Sequence, residues 1–458
     1  MRVLLIRPDP SHLYNTAGPD LGLGYLTTAL RRAGHEVFIH DALKKRRHRE
    51  PVATMVRRVS PDFIGFKTFS LDVAAINLLA EQFTPLCPAA TMAVGGPFPT
   101  GIGAELFAHV SPRVRFGMAG EGERALPQLL EHLQGQRPAE QVAGLIWRDG
   151  PTTRRNAQDF PPDLDALGWA DFSQMPPRTY PVDYEGNVYV PVQTSRGCPF
   201  TCAYCSAGLM NGRLIRRRSA AVVGEEVARL RRDFGIRNFC LIDDNFTLIK
   251  EHALAICDRL IELDLGVKWR CPSGLRLDTL DEQILHRMEQ SGCYEVYVGI
   301  ESGSERVAAD MKRCTSLAVL IEKVRLIRRV TRFSMLGFFI LGYPTEELAD
   351  ARQTIRLAAT LPLDMASFFY FTPHPGTEIH QRLVAEFGLR TDWRDHFYDR
   401  MSDVPRRLSR RRLWLLQKWA YLRFYCRPGP LLFLARKLAH PGQALRLIQR
   451  VAAVALNR

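Results

Sequence analysis

Two trains of short apolar runs, each run followed by a helical pattern, constrain this chain more than any other feature. The first train reads "MRVLLIRP", "VFIHDA", "DFIGFKTFS", "TMAVGGPFPT" and "VRFGMAGEGE". The runs are rich in Val, Ile, Leu and Phe, and proline or glycine ends most of them, as expected of buried strands. "GLGYLTTALRRAGHEV" supplies a helix that closes at Gly34, and "DVAAINLLAEQF" supplies another. Strands alternating with helices at this spacing predict a doubly wound parallel sheet. Ligands of such sheets lie beyond the carboxyl ends of the strands. The segments there are "RPDP", "SLD", "GGPFP" and "GEGE".

The second train starts at Val190: "VYVPVQTS", "NFCLIDDN", "VKWRCPSG", "EVYVGIES", "SMLGFFILGYP" and "MASFFYFTPHPGT". Helical patterns such as "AAVVGEEVARLRRDFG" and "DEQILHRMEQSG" separate these runs. Such alternation suits a partial barrel, with functional groups at the carboxyl ends of its strands. The fold class expected is therefore α/β. A Rossmann-like parallel sheet occupies residues 1–150, and a proline-rich wrapping linker 151–189. A partial (β/α)6 TIM-type barrel follows over 190–390, then a basic, aromatic helical tail over 391–458.

Charge is unevenly placed. The net charge is +14, yet all but a trace of the excess lies from Val404 onward, where there are Lys and Arg but no Asp or Glu. No apolar run is long enough to span a bilayer, and the four-residue apolar start is too short for a signal peptide. The expected location is cytoplasmic, or the inner face of the membrane. The ten cysteines then argue for metal or catalytic use ahead of disulfides.

Three of those cysteines stand together in "RGCPFTCAYCSAG": Cys198, Cys202 and Cys205, spaced C-x3-C-x2-C. A zinc knuckle needs a fourth ligand nearby, and the next cysteine, Cys240, falls inside a predicted strand. A bacterial ferredoxin run spaces its first cysteines differently. The remaining reading is a 4Fe–4S cluster with one iron left open for a substrate or cofactor, by the logic of a catalytic metal site.

That motif, with Tyr204 before its last cysteine, resembles the signature of the radical S-adenosylmethionine (SAM) superfamily. "LIDDNFT", "YVGIESGSERV", "GFFILGYPTE" and "FTPHPGTEI" resemble, in order, later strands of that superfamily's barrel. The resemblance implies a 4Fe–4S cluster on Cys198, Cys202 and Cys205, whose open iron chelates SAM and delivers the electron that cleaves it. It also implies SAM contacts from Tyr204, Asp243, Asp244, Glu301, Ser302 and Gly342.

The front train resembles the cobalamin-binding domain that precedes the barrel in one large subfamily. This implies cobalamin contacts from Ser70, Leu71, Gly95, Gly96, Pro97, Gly120, Glu121 and Gly122. Gly95 and Gly96 offer a flat surface to a nucleotide tail. "GEGE" opens a helix and offers backbone amides. The Asp-x-His-x-x-Gly motif of methionine-synthase-type domains is missing after Ile6, and His12 is wrongly spaced to replace it. Residues 1–190 hold only Cys87, which argues against the methylthiotransferase branch.

The resemblance implies a cobalamin-dependent radical SAM enzyme, with methyl transfer to an unactivated carbon of a natural-product or lipid-like substrate as the expected reaction. Radical ring closure or contraction without methyl transfer is the alternative within the class, and a non-catalytic corrin- or cluster-binding sensor the alternative outside it. Expected partners are a small, apolar substrate and an external one-electron donor such as flavodoxin or ferredoxin, with no nucleic acid. The tail reads either as a helical cap on the barrel or as a helix lying on an anionic membrane surface.

Overall fold

The computed structural model describes residues 1–8, 18–183, 186–396 and 400–438. His12 and the end of the basic tail lie outside these residues.

The first train forms a sheet of β1 (Arg2–Arg7), β2 (Glu36–Asp41), β3 (Phe63–Lys67), β4 (Thr91–Gly95) and β5 (Val114–Met118), extended by β6 (Leu145–Asp149) and β7 (Thr152–Arg155). The order is β2-β1-β3-β4-β5-β6-β7. The first five strands are parallel, and the order reverses between β1 and β3, which makes that edge the place for a ligand. Leu4, Ile6, Ile64, Phe66 and Val94 fill one face, while Val3, Leu5, Phe63 and Ala93 fill the other.

Two features depart from the sequence reading. β6 and β7 pair antiparallel, joined at Gly150, whose φ of 60° suits a tight turn. The sheet therefore continues into the stretch expected to be linker, because Thr152–Arg155 pairs with β6. The rest of that stretch wraps as expected. Gln174 lies along the free edge of β2, donating to Val37 O and accepting from Ile39 N, and the Tyr180 hydroxyl donates to Asp41 at 2.6 Å.

The second train gives β8 (Pro191–Val192), then the short antiparallel pair β9 (Ser195–Arg196) and β10 (Arg216–Arg217). β11 (Asn238–Leu241), β12 (Lys268–Leu275), β13 (Cys293–Glu301), β14 (Ser334–Leu341) and β15 (Met365–Tyr370) follow. The six long-sheet strands are parallel, in the order β15-β14-β13-β12-β11-β8, so the barrel stays open between β8 and β15.

An open strand edge needs partners for its backbone groups. The helix Arg410–Tyr425 provides them for β15. Gln417 donates to Phe368 O at 2.8 Å, and the Tyr421 and Tyr425 hydroxyls accept from Phe368 N and Ala366 N, each at 3.2 Å. These three residues sit four apart, on one helix face. Leu413, Leu416, Ala420 and Phe424 bury the same side. The tail is thus a cap on the barrel, but its outer side leaves Trp414, Leu415, Trp419 and Leu422 exposed among Arg and Lys, with Leu431 and Leu432 beyond them. Among the described residues, no helix is long and apolar enough to cross a membrane.

Candidate active site

The cysteine loop leaves β9 at Gly197, where φ is 101° and an added Cβ would lie 2.2 Å from Leu214 O. Only glycine fits there. Cys198 N donates to Gly212 O at 3.1 Å, which closes the loop on itself. Two further bonds tie it to distant parts of the barrel: Ala203 N to Met311 O, and Ile379 N to Ala203 O, each 3.0 Å. Cys198 and Cys202 are half-buried, and Cys205 is exposed. Burial pushes the Cys198 and Cys202 thiols up, so the metal-free loop carries neutral thiols that ionise when iron binds. Among the described residues, no three His, Cys, Asp or Glu side chains converge on one ion. Three thiols on one short loop are the donor set of a cluster whose cysteines bind separate irons.

The two aspartates after β11 separate sharply. Asp243 is buried and accepts from Thr194 N at 2.7 Å, from Thr194 Oγ1 at 2.5 Å and from Ser195 Oγ at 2.7 Å. Burial pushes its carboxyl up to about 6 against those bonds. It ties β11 to the segment before the cysteine loop, so most of its acceptor capacity is spent within the protein. Asp244 accepts from Gly197 N at 3.0 Å and Asn211 Nδ2 at 2.8 Å through a single oxygen, Oδ2. Its other oxygen remains for a ligand at the mouth.

Glu301 ends β13 at a bulge, with φ at 65°, a conformation a non-glycine residue holds only under constraint. Burial raises its carboxyl, while Arg313 opposes the shift and the Tyr204 hydroxyl donates to it. The Tyr204 ring packs on Val307, Met311, Tyr343 and Phe371. Tyr204 thus supports the cysteine loop through Glu301.

Ser302 and Gly342 directly follow the ends of β13 and β14 and have partners within the protein. Ser302 is buried, and its hydroxyl accepts from Ser304 N at 3.1 Å. Gly342 N donates to Glu346 Oε2 at 2.6 Å, and a Cβ on Gly342 would lie 2.5 Å from Leu413 of the capping helix.

Sequence reasoning missed two cations. The Arg276 guanidinium lies 3.5 Å from the ring centre of Phe200, inside the cysteine loop. Arg313 donates to Gly299 O at 2.7 Å. Both bear electrostatically on Cys202. Neither belongs to a local motif, and only the closing of the barrel brings them to the loop.

The second cradle lies beyond β3, β4 and β5. Thr68 N donates to Gly95 O at 2.8 Å, and Phe98 N to Thr68 O at 3.0 Å. The Thr100 hydroxyl donates to Gly96 O at 2.7 Å and accepts from Gly120 N at 2.9 Å. Leu71, Gly95, Gly96, Pro97, Gly120 and Gly122 remain half-buried along this line. An added Cβ at Gly95 would meet only Met118, at 3.7 Å. Internal packing therefore does not require glycine at this position, and a flat face for a ligand does. The Ser70 hydroxyl has no hydrogen-bond partner among the described residues. These features fit cobalamin.

Glu121 is the exception in this cradle. Its carboxylate turns away to the barrel, where Arg216 grips both oxygens and Arg196 Nη1 stands 3.0 Å from Oε2. The first domain also touches the barrel next to Thr100, since a Cβ on Gly101 would lie 2.3 Å from Pro375 O.

The model of the Radical SAM superfamily matches residues 192–358, and that of the B12 binding domain matches residues 14–130. An uncharacterized methyltransferase of Pyrococcus horikoshii is 30% identical over 439 residues, covering 94% of each chain. The chain belongs to the radical SAM superfamily, in the branch that carries a B12-binding domain. Cytidylyl-2-hydroxyethylphosphonate methyltransferase of Streptomyces wedmorensis is 26% identical, over 84% of this chain and 82% of its own. In fold, this radical SAM enzyme resembles the radical SAM methyltransferase TsrM of Kitasatospora setae, whose structure has cobalamin and a 4Fe–4S cluster bound. The TM-score is 0.69 at 19% identity, over 85% of this chain and 77% of that one. Membership in this branch carries a 4Fe–4S cluster, SAM and cobalamin as cofactors.

Proposed function

We propose that this enzyme transfers a methyl group to an unactivated carbon of a small, apolar molecule. The observation that carries the reading is the meeting of the two cradles: the loop after β5 grips the hairpin that opens the cysteine loop. A reaction that draws on two cofactors at one carbon needs them face to face.

When bound, the cluster supplies the electron that opens SAM, and cobalamin supplies a methyl group. Cys198, Cys202 and Cys205 hold the iron, and the free oxygen of Asp244 accepts from the amino group of SAM. Arg276 and Arg313 supply positive charge beside Cys202 and offset the charge of the ligating thiolates. The backbone of Gly95, Gly96, Gly120 and Gly122 and the Ser70 hydroxyl seat the corrin and its tail. Functionally the chain divides near residues 150 and 190, with the wrapping stretch holding the two cradles in register.

The barrel interior supports an apolar substrate. Tyr297, Phe338 and Phe369 form a ladder of rings, with centroids 5.5 Å apart at each step, and all three are half-buried. Below them Arg270, paired with Asp183 and Glu295, closes the floor. The ladder offers an apolar ligand a half-buried aromatic wall.

Two partners complete the reading. An external one-electron donor of the flavodoxin or ferredoxin type reduces the cluster. The outer face of the tail helix rests on an anionic membrane surface, with Trp414, Trp419 and Leu422 inserted and each nearby basic residue contributing about 1 kcal/mol. Flotation with anionic vesicles tests this contact: Trp414→Ala with Trp419→Ala should abolish it, and unchanged partitioning would exclude it.

The reaction itself is tested by anaerobic reconstitution with iron, sulfide, cobalamin and SAM, followed by incubation with an extract of candidate apolar metabolites. A product heavier by one CH2 unit, formed together with 5′-deoxyadenosine, is the expected result. A product with an unchanged carbon count would point to ring closure instead.

A further inference from the structure

The loop after β5 carries two carboxylates that its own domain does not use. Glu121 and Glu123 are buried, and both reach into the barrel. Their partners, Arg196 and Arg216, sit directly opposite each other on β9 and β10. Two guanidinium groups facing each other in an antiparallel pair repel. The carboxylates between them offset that repulsion, and these arrive from the other domain. Arg196 Nη2 meets Glu123 at 2.7 Å, and its Nη1 meets Glu121 at 3.0 Å. Arg216 forks across both oxygens of Glu121. Tyr25 lies 5.1 Å under Arg196, and Phe160 lies 5.3 Å under Arg216, which hold both planes flat.

From this knot, hydrogen bonds run in two directions. Toward the cluster, Arg196 immediately precedes Gly197, whose N–H donates to Asp244. Arg216 donates to Asn211 O at 2.7 Å, and the Asn211 side chain donates to the same Asp244 oxygen. Both ends of the cysteine loop are thus attached to the pair of arginines. Toward the corrin, Glu121 follows Gly120, whose N–H donates to Thr100, and Thr100 holds Gly96. One residue therefore lies on the path that joins the two cradles.

We propose that Glu121 is a positioning residue that fixes the distance between the corrin seat and the cysteine loop, through Arg216 and Arg196. A carboxylate gripped by a guanidinium fork is set in both distance and angle, and a monodentate contact sets neither as well. Reactions between held groups lose rate steeply with small misplacements, so such a strut has a clear use. The inference rests on the reading that both cofactors bind this chain, and its test needs no substrate.

The test is the magnetic interaction between the reduced cluster and Co(II) cobalamin in the reconstituted, full-length protein. Pulsed EPR reads the distance distribution between the two spins. The wild type should give one narrow distribution. E121Q keeps the shape but loses the charge, and R216K keeps the charge but cannot span both oxygens. Each should retain its iron and cobalamin while the distribution shifts or broadens. A distribution identical to the wild type in both variants would overturn the proposal. So would loss of cobalamin from E121Q alone, because Glu121 would then be a corrin contact. Should E121Q fail to fold, the result from R216K decides. A failure of the methyl-transfer reading would appear only as a missing CH2 unit in the product, and it leaves this test untouched.

Discussion

The two cradles are built in opposite ways. The corrin cradle is held by its own neighbourhood: Thr68, Gly95, Gly96, Phe98, Thr100 and Gly120 bond to one another across three adjacent strand ends. The cysteine loop is held from far away, by Met311, Ile379 and Asp244 and by the glutamates of the other domain. A doubly wound sheet forms its ligand edge from consecutive units, so that edge is complete once the sheet is complete. A loop that must leave iron open needs its shape imposed by surrounding structure, since three thiols and a turn do not enforce it. The cradle should therefore tolerate damage to the barrel, and the reverse should not hold.

The largest expected effect breaks one side and spares the other. Cys202→Ala should abolish reductive cleavage of SAM, read as 5′-deoxyadenosine, while cobalamin affinity by optical titration stays at the wild-type value. Loss of both would mean that the cradles form as one unit.

Asp244→Ala removes two ties to the loop and the free carboxylate oxygen. Each buried hydrogen bond so lost is worth about 1–3 kcal/mol, so SAM affinity should fall by about tenfold to a hundredfold. Equilibrium binding to the reconstituted protein measures this. Asp243→Asn, in contrast, should lower thermal stability with a smaller change in SAM affinity, because Asp243 accepts three bonds that tie β11 to Thr194 and Ser195.

Thr100→Val tests the other side. It leaves Gly120 N without its partner, and cobalamin affinity should fall by about tenfold, corresponding to about 1.4 kcal/mol. Iron content and cobalamin-free SAM cleavage should not change.

The smallest effect is a pH slope confined to the barrel. Burial pushes the Glu346 carboxyl from 4.5 up to about 8, against the bond from Gly342 N. Between those values the folded chain keeps a proton that the unfolded chain releases, so this group's contribution to stability falls as pH rises through that window. Glu346→Gln keeps an acceptor for Gly342 and should flatten the slope in thermal unfolding between about pH 5 and pH 8. The slope of cobalamin release should be the same in both proteins.

Much of this architecture was legible in the sequence, because strand and helix periods are local signals. All five parallel strands of the first train and all six of the second lie where the apolar runs predict them. The cysteine loop was legible for the same reason, since spacing and glycine placement act over a few residues. The roles of Asp243 and Asp244 were not. They are adjacent and chemically identical, and only the end of β11 decides which one turns into the protein. The resemblance of "YVGIESGSERV" and "GFFILGYPTE" to barrel-strand motifs pointed to Ser302 and Gly342 but not to their partners within the protein. Thr354 and Leu413, which cover them, lie about 50 and 70 residues further on. The ion pairs of Glu121 were not legible, because its partners lie in the other domain and nothing near "GEGE" announces an arginine.

The central claim is that three thiolates leave a cluster position open to SAM. EPR of the anaerobically reconstituted, reduced protein tests it most directly, recorded before and after SAM is added. The cluster spectrum should shift on addition of SAM, and 5′-deoxyadenosine should follow. A spectrum indifferent to SAM, or a purified protein that holds zinc in this loop in place of iron, would contradict the account.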